Sequence, residues 1–242
     1  MASLKDIKAQ LKKIKLSGLE KLRDFHCIEL SENASLCEIV DSIGKIPMLK
    51  NATTLAELYN GAVFPEGYEL VLDVPNVTNL RRFLQYADGV KKLVLKGRPQ
   101  ELGVHLEPLN CDSAFLGNRS LEIIDVTDFY FNPENVDYVI NNATALKEIR
   151  GIIYPQNIIS AQYSFYHCPA LEEFRLDKES LAGGLAVPYS PLLSAQTIQS
   201  IVDALVTKQA VNYLLLHKDV IARFTDEQKE QVYNKNWTLI EG

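Results

Sequence analysis

The segment Ser164-Phe-Tyr-His-Cys-Pro-Ala-Leu-Glu-Glu-Phe-Arg-Leu176 is one copy of an apolar pattern that recurs along the chain. An apolar anchor, Leu171, is followed by further apolar residues at the third and fifth positions after it. The anchors along the chain are Val90, Leu121, Leu146, Leu171 and Val211. The steps between them are 31, 25, 25 and 40 residues, and the two consecutive steps of 25 indicate an internal repeat.

The residues before the anchors predict turns or helices. Thr78 can cap a turn, Asn132-Pro133 has the form of a helix start with proline in the first position, and Ser194 opens a longer amphipathic helix. Strands that always follow such an element share one direction, so they should lie parallel in one sheet. With a period of about 25 residues, we predict an α/β fold whose repeats stack in sequence order as a solenoid.

A doubly wound α/β domain is the alternative architecture. Its strands would be buried on both faces and would therefore be continuous runs of Val, Ile and Leu. The strand segments here alternate charged with apolar residues, and none is followed by a glycine-rich phosphate-binding motif. Both observations favour the solenoid.

The chain divides into three predicted parts. Residues 1–46 form a helical amino-terminal segment, residues 47–66 a linker, and residues 67–242 the irregular solenoid. The first helix carries an apolar stripe within residues 4–14, formed by Leu4, Ile7, Leu11 and Ile14. This stripe could drive oligomerisation as a short coiled coil, contact an anionic surface, or cap the first repeat.

Composition limits the classes of function. The 242 residues carry a formal net charge of −6 and are 47% hydrophobic, which is typical of a globular chain and disfavours non-specific binding to nucleic acid. No run approaches the ~20 apolar residues of a membrane-spanning helix, so we expect no membrane insertion. The first residues lack the apolar run of a secretory signal. We therefore expect synthesis in the cytoplasm, with a virion, or else the cell surface, as the later destination.

The repeat resembles a known family. Residues 164–176 are similar to the unit of BspA-like leucine-rich repeats, which has the form Ala-Phe-x-x-Cys-x-x-Leu-x-x-Ile-x-Leu. Residues 114–126 fit the same unit with Asn118 in place of the cysteine, and degenerate copies extend over about residues 66–217. The resemblance implies a leucine-rich-repeat solenoid. The steps of 31 and 40 depart from the family's shorter period, so we expect inserted segments, most plainly at residues 177–193.

Both ends of the chain show a second resemblance. Residues 193–205, 225–228 and 235–239 are similar to the carboxyl-terminal stretch of prophage-encoded, tail-associated repeat proteins of Gram-positive bacteria. Residues 33–43 are similar to a helical segment of phage tail proteins. These resemblances imply a prophage or gut-bacterial origin and imply no chemistry.

In the leucine-rich-repeat pattern, residues on either side of the later inward positions face the concave surface. The candidate binding residues there are Lys92, Lys96, Asp125, Thr127, Glu148, Arg150, Glu173, Arg175, Asp177, Tyr213 and His217. Read across neighbouring strands, Asp125 should stand beside Arg150. This face could bind a protein or a glycan; the alternative is a solvated face held by side-chain ladders.

The sequence offers little support for catalysis. Its four histidines lie in no known nucleophile or zinc-protease motif. The four cysteines have neither Cys-x-x-Cys metal spacing nor the density of a disulfide framework, and we expect Cys111 and Cys168 to be buried thiols. We predict no metal and no cofactor. The first hypothesis is a non-enzymatic, prophage-encoded, tail-associated component that binds a protein. The second is a surface or secreted recognition protein, and an enzyme ranks last.

Overall fold

The computed structural model describes residues 52–98, 107–158, 160–161 and 163–242. The predicted helical segment 1–46, with its stripe at residues 4–14, lies outside the described residues, as does the first part of the predicted linker. The described part of that linker contributes buried side chains to the core, among them Tyr59 and Phe64, whose ring centroids are 5.4 Å apart.

The described residues form short strands, three helices and many turns. The strands are β1 (Val63–Asp73), β2 (Asp88–Lys96), β3 (Leu109–Asn110), β4 (Ile123–Asp125), β5 (Pro133–Asn135), β6 (Glu148–Arg150), β7 (Ser160–Ala161), β8 (Gly184–Val187), β9 (Asn212–Leu216) and β10 (Trp237–Glu241). The helices are α1 (Ala195–Ala204), α2 (Lys218–Ile221) and α3 (Asp226–Asn234), with a 3-10 turn at Pro155–Asn157.

The strands pair in parallel. The first sheet has the order β1-β2-β4-β6, the second β10-β9-β8-β7, and the third β3-β5. The protein is therefore a mixed α/β chain built on parallel sheets, as predicted. The prediction of one shared sheet is wrong, because strand β9 pairs with β8 and β10 rather than with the earlier strands.

Helix α1 explains why the first sheet ends where it does. Beyond β6, a single bridge at Glu173 continues the sheet. The Phe174 N–H then donates to Thr197 Oγ1 at 3.2 Å, and the Leu176 N–H donates to Ser200 Oγ at 2.8 Å. Because side chains of α1 satisfy these amides, the helix covers the edge at which another strand would otherwise pair.

The turns stack on one another as regularly as the strands do. The Gly117 N–H donates to the Asn141 carbonyl at 2.8 Å, and the Asn142 N–H donates to the Tyr166 carbonyl at 2.9 Å. Four turn residues with positive φ each lie four residues before an anchor: Tyr86, Gly117, Asn142 and His167. The left-handed conformation lets each turn reverse the chain while its amides bond the next turn.

The predicted helix start at Asn132-Pro133 is wrong. Pro133–Asn135 is strand β5, and it pairs with β3 in parallel. The Leu109 N–H donates to the Asn132 carbonyl at 3.0 Å. Proline is tolerated here because it occupies the first position of a short strand, where its missing N–H leaves no ladder bond unmade.

One contiguous cluster of buried side chains runs from Leu55 to Trp237. The predicted anchors Val90, Leu121, Leu146 and Leu171 are fully buried, as expected. The fifth anchor is wrong, because Val211 is 74% exposed. Leu214 and Leu216, the third and fifth residues after it, are buried in β9 as the pattern predicts, so this copy departs from the pattern only at its anchor.

Asn118 and Cys168 occupy equivalent positions, each three residues before a buried anchor. Asn118 Nδ2 donates to the Leu84 carbonyl at 3.5 Å, and Cys168 Sγ donates to the Ile140 carbonyl at 3.1 Å. Each is a buried donor to a carbonyl of the preceding turn. A thiol and an amide can therefore exchange at this position, because both satisfy the same buried acceptor.

The carboxyl-terminal elements confirm the predicted caps. Ser194 Oγ accepts from the Thr197 N–H at 3.1 Å, and Thr225 with Gln228 forms a reciprocal capping box. The final strand β10 pairs with β9 throughout its length. None of the helices in the described ranges is long and apolar enough to cross a membrane.

Candidate ligand-binding groove

A groove of about 330 Å³ lies at the β6 end of the first sheet, beside the first turn of α1. Its lining residues are Thr127, Glu148, Ile149, Arg150, Gly151, Ile152, Glu173, Phe174, Arg175, Gln196 and Thr197. The structure therefore brings five of the predicted candidates together in one concave site: Thr127, Glu148, Arg150, Glu173 and Arg175.

Strand alternation places the charged residues of the groove. Ile149 and Phe174 are buried in the core, so their neighbours along each strand project from the opposite face of the sheet. Parallel pairing then aligns Glu148 with Glu173. It also aligns Asp125 with Arg150, as the sequence predicted. Two rows of outward side chains thus cross the sheet, and the groove lies where they meet α1.

The charges of the groove are unequally paired. Arg150 Nε donates to Glu148 Oε2 at 2.9 Å, two residues away on the same face of the strand. Asp125 Oδ1 accepts instead from the Thr127 N–H at 3.2 Å. Among the described residues Arg175 has no ion pair, and its side chain is exposed. A guanidinium in this state keeps its full set of donors for an incoming acceptor.

One wall of the groove is held by a hydroxyl at the start of α1. Thr197 Oγ1 accepts from the Phe174 N–H and donates to the Glu172 carbonyl at 3.1 Å. The side chain is buried, so these bonds are shielded from water. Gln196 is exposed beside it and adds an amide to the lining.

The floor of the groove requires a glycine. Gly151 has a φ of +92°, and a Cβ added there would lie 2.8 Å from the carbonyl carbon of Val126. The chain leaving β6 therefore runs closer to its neighbour than any side chain allows.

Sequence reasoning missed Gly151 and Gln196 as parts of the site. Gly151 directly follows a predicted strand segment. A glycine at the end of a strand was the sequence feature that could have placed it in the site. The helix containing Gln196 was predicted, but its contact with the edge of the sheet depends on tertiary packing and had no sequence signal.

The remaining candidates lie outside the groove. Lys92 Nζ pairs with Glu69 Oε1 at 2.9 Å on the neighbouring strand β1. Lys96 is exposed at the end of β2, and Asp177 is half-buried just after the bridging segment. Tyr213 belongs to β9 in the second sheet, and His217 Nδ1 accepts from the Asp219 N–H at 3.2 Å as the cap of α2. The division of the sheets separates these two residues from the groove.

A row of ion pairs on the first sheet supports the alternative interpretation, in which part of this face is solvated and held by contacts between side chains. Glu122 lies between Lys91 and Lys147, with N–O distances of 3.4 Å and 2.9 Å. The hydrogen bond from Lys147 is the main cause that lowers the pKa of Glu122. All three side chains are partly or largely exposed, so each pair contributes no more than about 1 kcal/mol.

Metal-binding groups do not cluster in the part of the chain that the structure describes, where no three His, Cys, Asp or Glu side chains could hold one ion. Cys111 and Cys168 are buried free thiols, as predicted. Burial raises the pKa of both thiols. Comparison with protein-family models, curated proteins and solved structures found no match.

Proposed function

We propose that the protein is a non-enzymatic, prophage-encoded, tail-associated component that binds a protein partner through the groove. The observation that carries the binding site is the meeting of five sequence-predicted residues in one cavity beside α1. Two resemblances in the sequence support the tail association: the carboxyl-terminal segments and residues 33–43.

The same proposal includes a leucine-rich-repeat solenoid as the architecture. Three findings support it: parallel strands of the first sheet paired in chain order, turns bonded to the next turns, and one continuous core. The exchange of Asn118 with Cys168 at one buried position also fits that family's repeat unit. In such an array each repeat contacts its neighbours and presents a common face to partners.

The charged side chains of the groove indicate which chemical groups a partner should present. Arg150 and Arg175 lie in the groove, and Arg175 forms no ion pair among the described residues. Arginine binds carboxylates through two parallel N–H···O bonds, which gives both strength and orientation. We therefore propose that an acidic segment of a virion protein docks there, with Glu148 and Glu173 excluding wrong alignments by repulsion.

Charge reversal in the groove tests this function in particles. After prophage induction, the wild-type protein should be enriched in purified particles relative to the cell surface and the cytosol, measured by quantitative mass spectrometry. The variant with Arg150→Glu and Arg175→Glu should be incorporated at least about tenfold less, because like charges would face the acidic segment.

A matched control reverses the charges of two lysines outside the groove, the exposed Lys218 and the half-buried Lys229. Lys218→Glu with Lys229→Glu changes the net charge equally but lies on α2 and α3, so particle incorporation should be unchanged. Equal incorporation of the groove variant would remove this groove from the proposal. Enrichment of the wild type on the cell surface would support the recognition hypothesis instead, and confinement to the cytosol would contradict both. Hydrolysis of ester, phosphate or glycoside substrates by the purified protein would contradict the non-enzymatic assignment.

A further inference from the structure

The groove contains two Glu–Arg pairs at equivalent positions, and only one of them is bonded. Glu148 and Arg150 lie two residues apart on β6, and Glu173 and Arg175 have the same spacing on the next segment of the first sheet. Arg150 Nε donates to Glu148 Oε2 at 2.9 Å. Within the described ranges neither Glu173 nor Arg175 forms an ion pair, and both are exposed. The second pair therefore presents a carboxylate and a guanidinium to an incoming ligand.

The register beside the second pair is irregular. Glu148 bridges Glu173 and Ile153 bridges Leu176, so five steps along one chain lie against three steps along the other. The two additional residues form a bulge that includes Gly151, whose φ is +92°. A bulge bends its strand and redirects side chains. The bonded geometry of β6 is therefore not repeated on the neighbouring segment.

Pairing across the sheet also places two carboxylates side by side. Glu148 and Glu173 are bridge partners, so their side chains project from the same face of strands that are ~4.8 Å apart. Arg150 is bonded to Glu148, and Glu173 is left without a cation among the described residues. Like charges on neighbouring strands repel each other. A ligand cation over Glu173 would relieve this repulsion.

The spacing of the second pair suits an extended chain. Phe174 is buried between the exposed Glu173 and Arg175, so both charged side chains project outward, about 6–7 Å apart along the segment. In an extended peptide, residues i and i+2 also lie on one face with this spacing. A segment lying along Glu173 and Arg175 can therefore meet both charges at once, whereas a single ion meets only one of them.

We propose that the acidic segment bound in the groove is extended and carries a basic residue two positions from the carboxylate that Arg175 binds, as in Asp-x-Lys. The carboxylate accepts two parallel N–H bonds from the guanidinium, and the lysine ammonium donates to Glu173. The order of the two charges is free, because an extended segment can lie in either direction along the face. This inference rests on the proposed function and specifies the sequence of the partner segment.

Fluorescence anisotropy with the full chain and three dye-labelled peptides tests this pattern at low ionic strength. The first peptide is Gly-Ser-Asp-Thr-Lys-Ser-Gly. The second, Gly-Ser-Asp-Lys-Thr-Ser-Gly, is the matched control, since it has the same composition but projects its two charges from opposite faces. The third, Gly-Ser-Asp-Thr-Asp-Ser-Gly, is entirely acidic and places a like charge over Glu173. The first should bind at least about fivefold more tightly than either of the others, because only it forms both ion pairs.

Protein variants separate the pairing of charges from net charge. Arg175→Glu should weaken binding of the first peptide at least about fivefold, because the carboxylate then faces a like charge. Adding Glu173→Arg restores the net charge and the spacing with the order reversed, so binding should return to within about twofold of the wild type. Lys218→Glu makes the same change of charge outside the groove and should leave binding unchanged. Circular dichroism confirms that each variant is folded.

The contrary results distinguish this inference from the proposed function. Equal or tighter binding of the entirely acidic peptide would overturn the paired pattern and leave a groove for acidic segments. Equal binding of the control peptide, or failure of the exchanged variant to restore binding, would show that the two charges are not recognised as a pair. Absence of binding by all three peptides would also overturn the inference, and particle incorporation of the groove variant then decides the proposed function separately.

Discussion

At the scale of single residues, hydrogen bonds from buried polar side chains hold each turn in a fixed position against the next. Cys168 donates through its sulfur to the Ile140 carbonyl, and Ser190 Oγ donates to the Cys168 carbonyl at 2.8 Å. Both side chains are fully buried. A buried carbonyl without a hydrogen bond would lower the stability of the fold by about 1–3 kcal/mol. These positions therefore require a short polar side chain that can donate to the backbone.

Cys168 should react slowly with alkylating reagents in the folded protein. Burial raises its pKa to about 12, so the thiolate is scarce at pH 8 and becomes common only as the pH approaches that value. Iodoacetamide labelling, followed by mass spectrometry of the peptide that contains Cys168, should be at least about 100-fold slower than in urea-unfolded protein. Similar rates in both states would show that this thiol is accessible in the native fold.

At the scale of elements, a helix replaces a strand. The Phe174 and Leu176 amides are bonded by hydroxyls of α1 rather than by carbonyls of a following strand. The Ser194 N–H donates to the Glu172 carbonyl at 2.8 Å, which fixes the beginning of the helix against the same edge. The groove exists because this replacement leaves α1 standing beside the outward face of β6.

Thr197→Val should destabilise the protein by about 2 kcal/mol, because it leaves the Phe174 amide without a partner in a buried site, whereas the Glu172 carbonyl keeps the Ser194 N–H. Urea denaturation followed by circular dichroism measures the change in the free energy of unfolding. Thr238→Val on β10 is the control, since that threonine is exposed and its replacement should change the stability by less than about 0.5 kcal/mol. Equal effects at the two positions would contradict the role of Thr197.

At the scale of the whole molecule, one core joins the two four-stranded sheets. Buried residues from β1 to β10 belong to one cluster, although the sheets share no strand. The only tryptophan of the chain, Trp237, is buried at the start of β10, and its Nε1 donates to the Val206 carbonyl at 2.8 Å. Its environment therefore reports on the end of the core that is farthest along the chain from β1.

Unfolding should be cooperative across both sheets. Since the core is continuous, tryptophan fluorescence from Trp237 and far-ultraviolet circular dichroism should give the same midpoint in urea. The emission of Trp237 should shift to longer wavelength in that single transition. A fluorescence midpoint at lower urea would show that the second sheet unfolds by itself, as the ends of repeat arrays can.

The sequence by itself determined the parallel strands and most of the core. Four of the five anchors are buried, and Asp125 lies opposite Arg150 as expected, because a recurring apolar spacing imposes the same inward positions on every copy. The same spacing misled at Val211, where the copy is weak: Leu214 and Leu216 are buried as the spacing predicts, but the anchor itself is exposed. It also favoured a helix at Pro133, since a proline start is compatible with both a helix and a short strand.

Only the tertiary structure decided where the sheets divide and which candidates meet. Tyr213 has the same position after its anchor as Glu148 and Glu173, yet β9 pairs with β8, and Tyr213 and His217 both lie outside the groove. The ring contacts of Tyr163 with Tyr138 and of Tyr166 with Tyr189 likewise join side chains from three separate turns. The physical reason is the range of the interactions. Periodicity encodes contacts within one repeat and its neighbour, whereas the position of α1 depends on which edge amides remain unpaired once all strands have been placed.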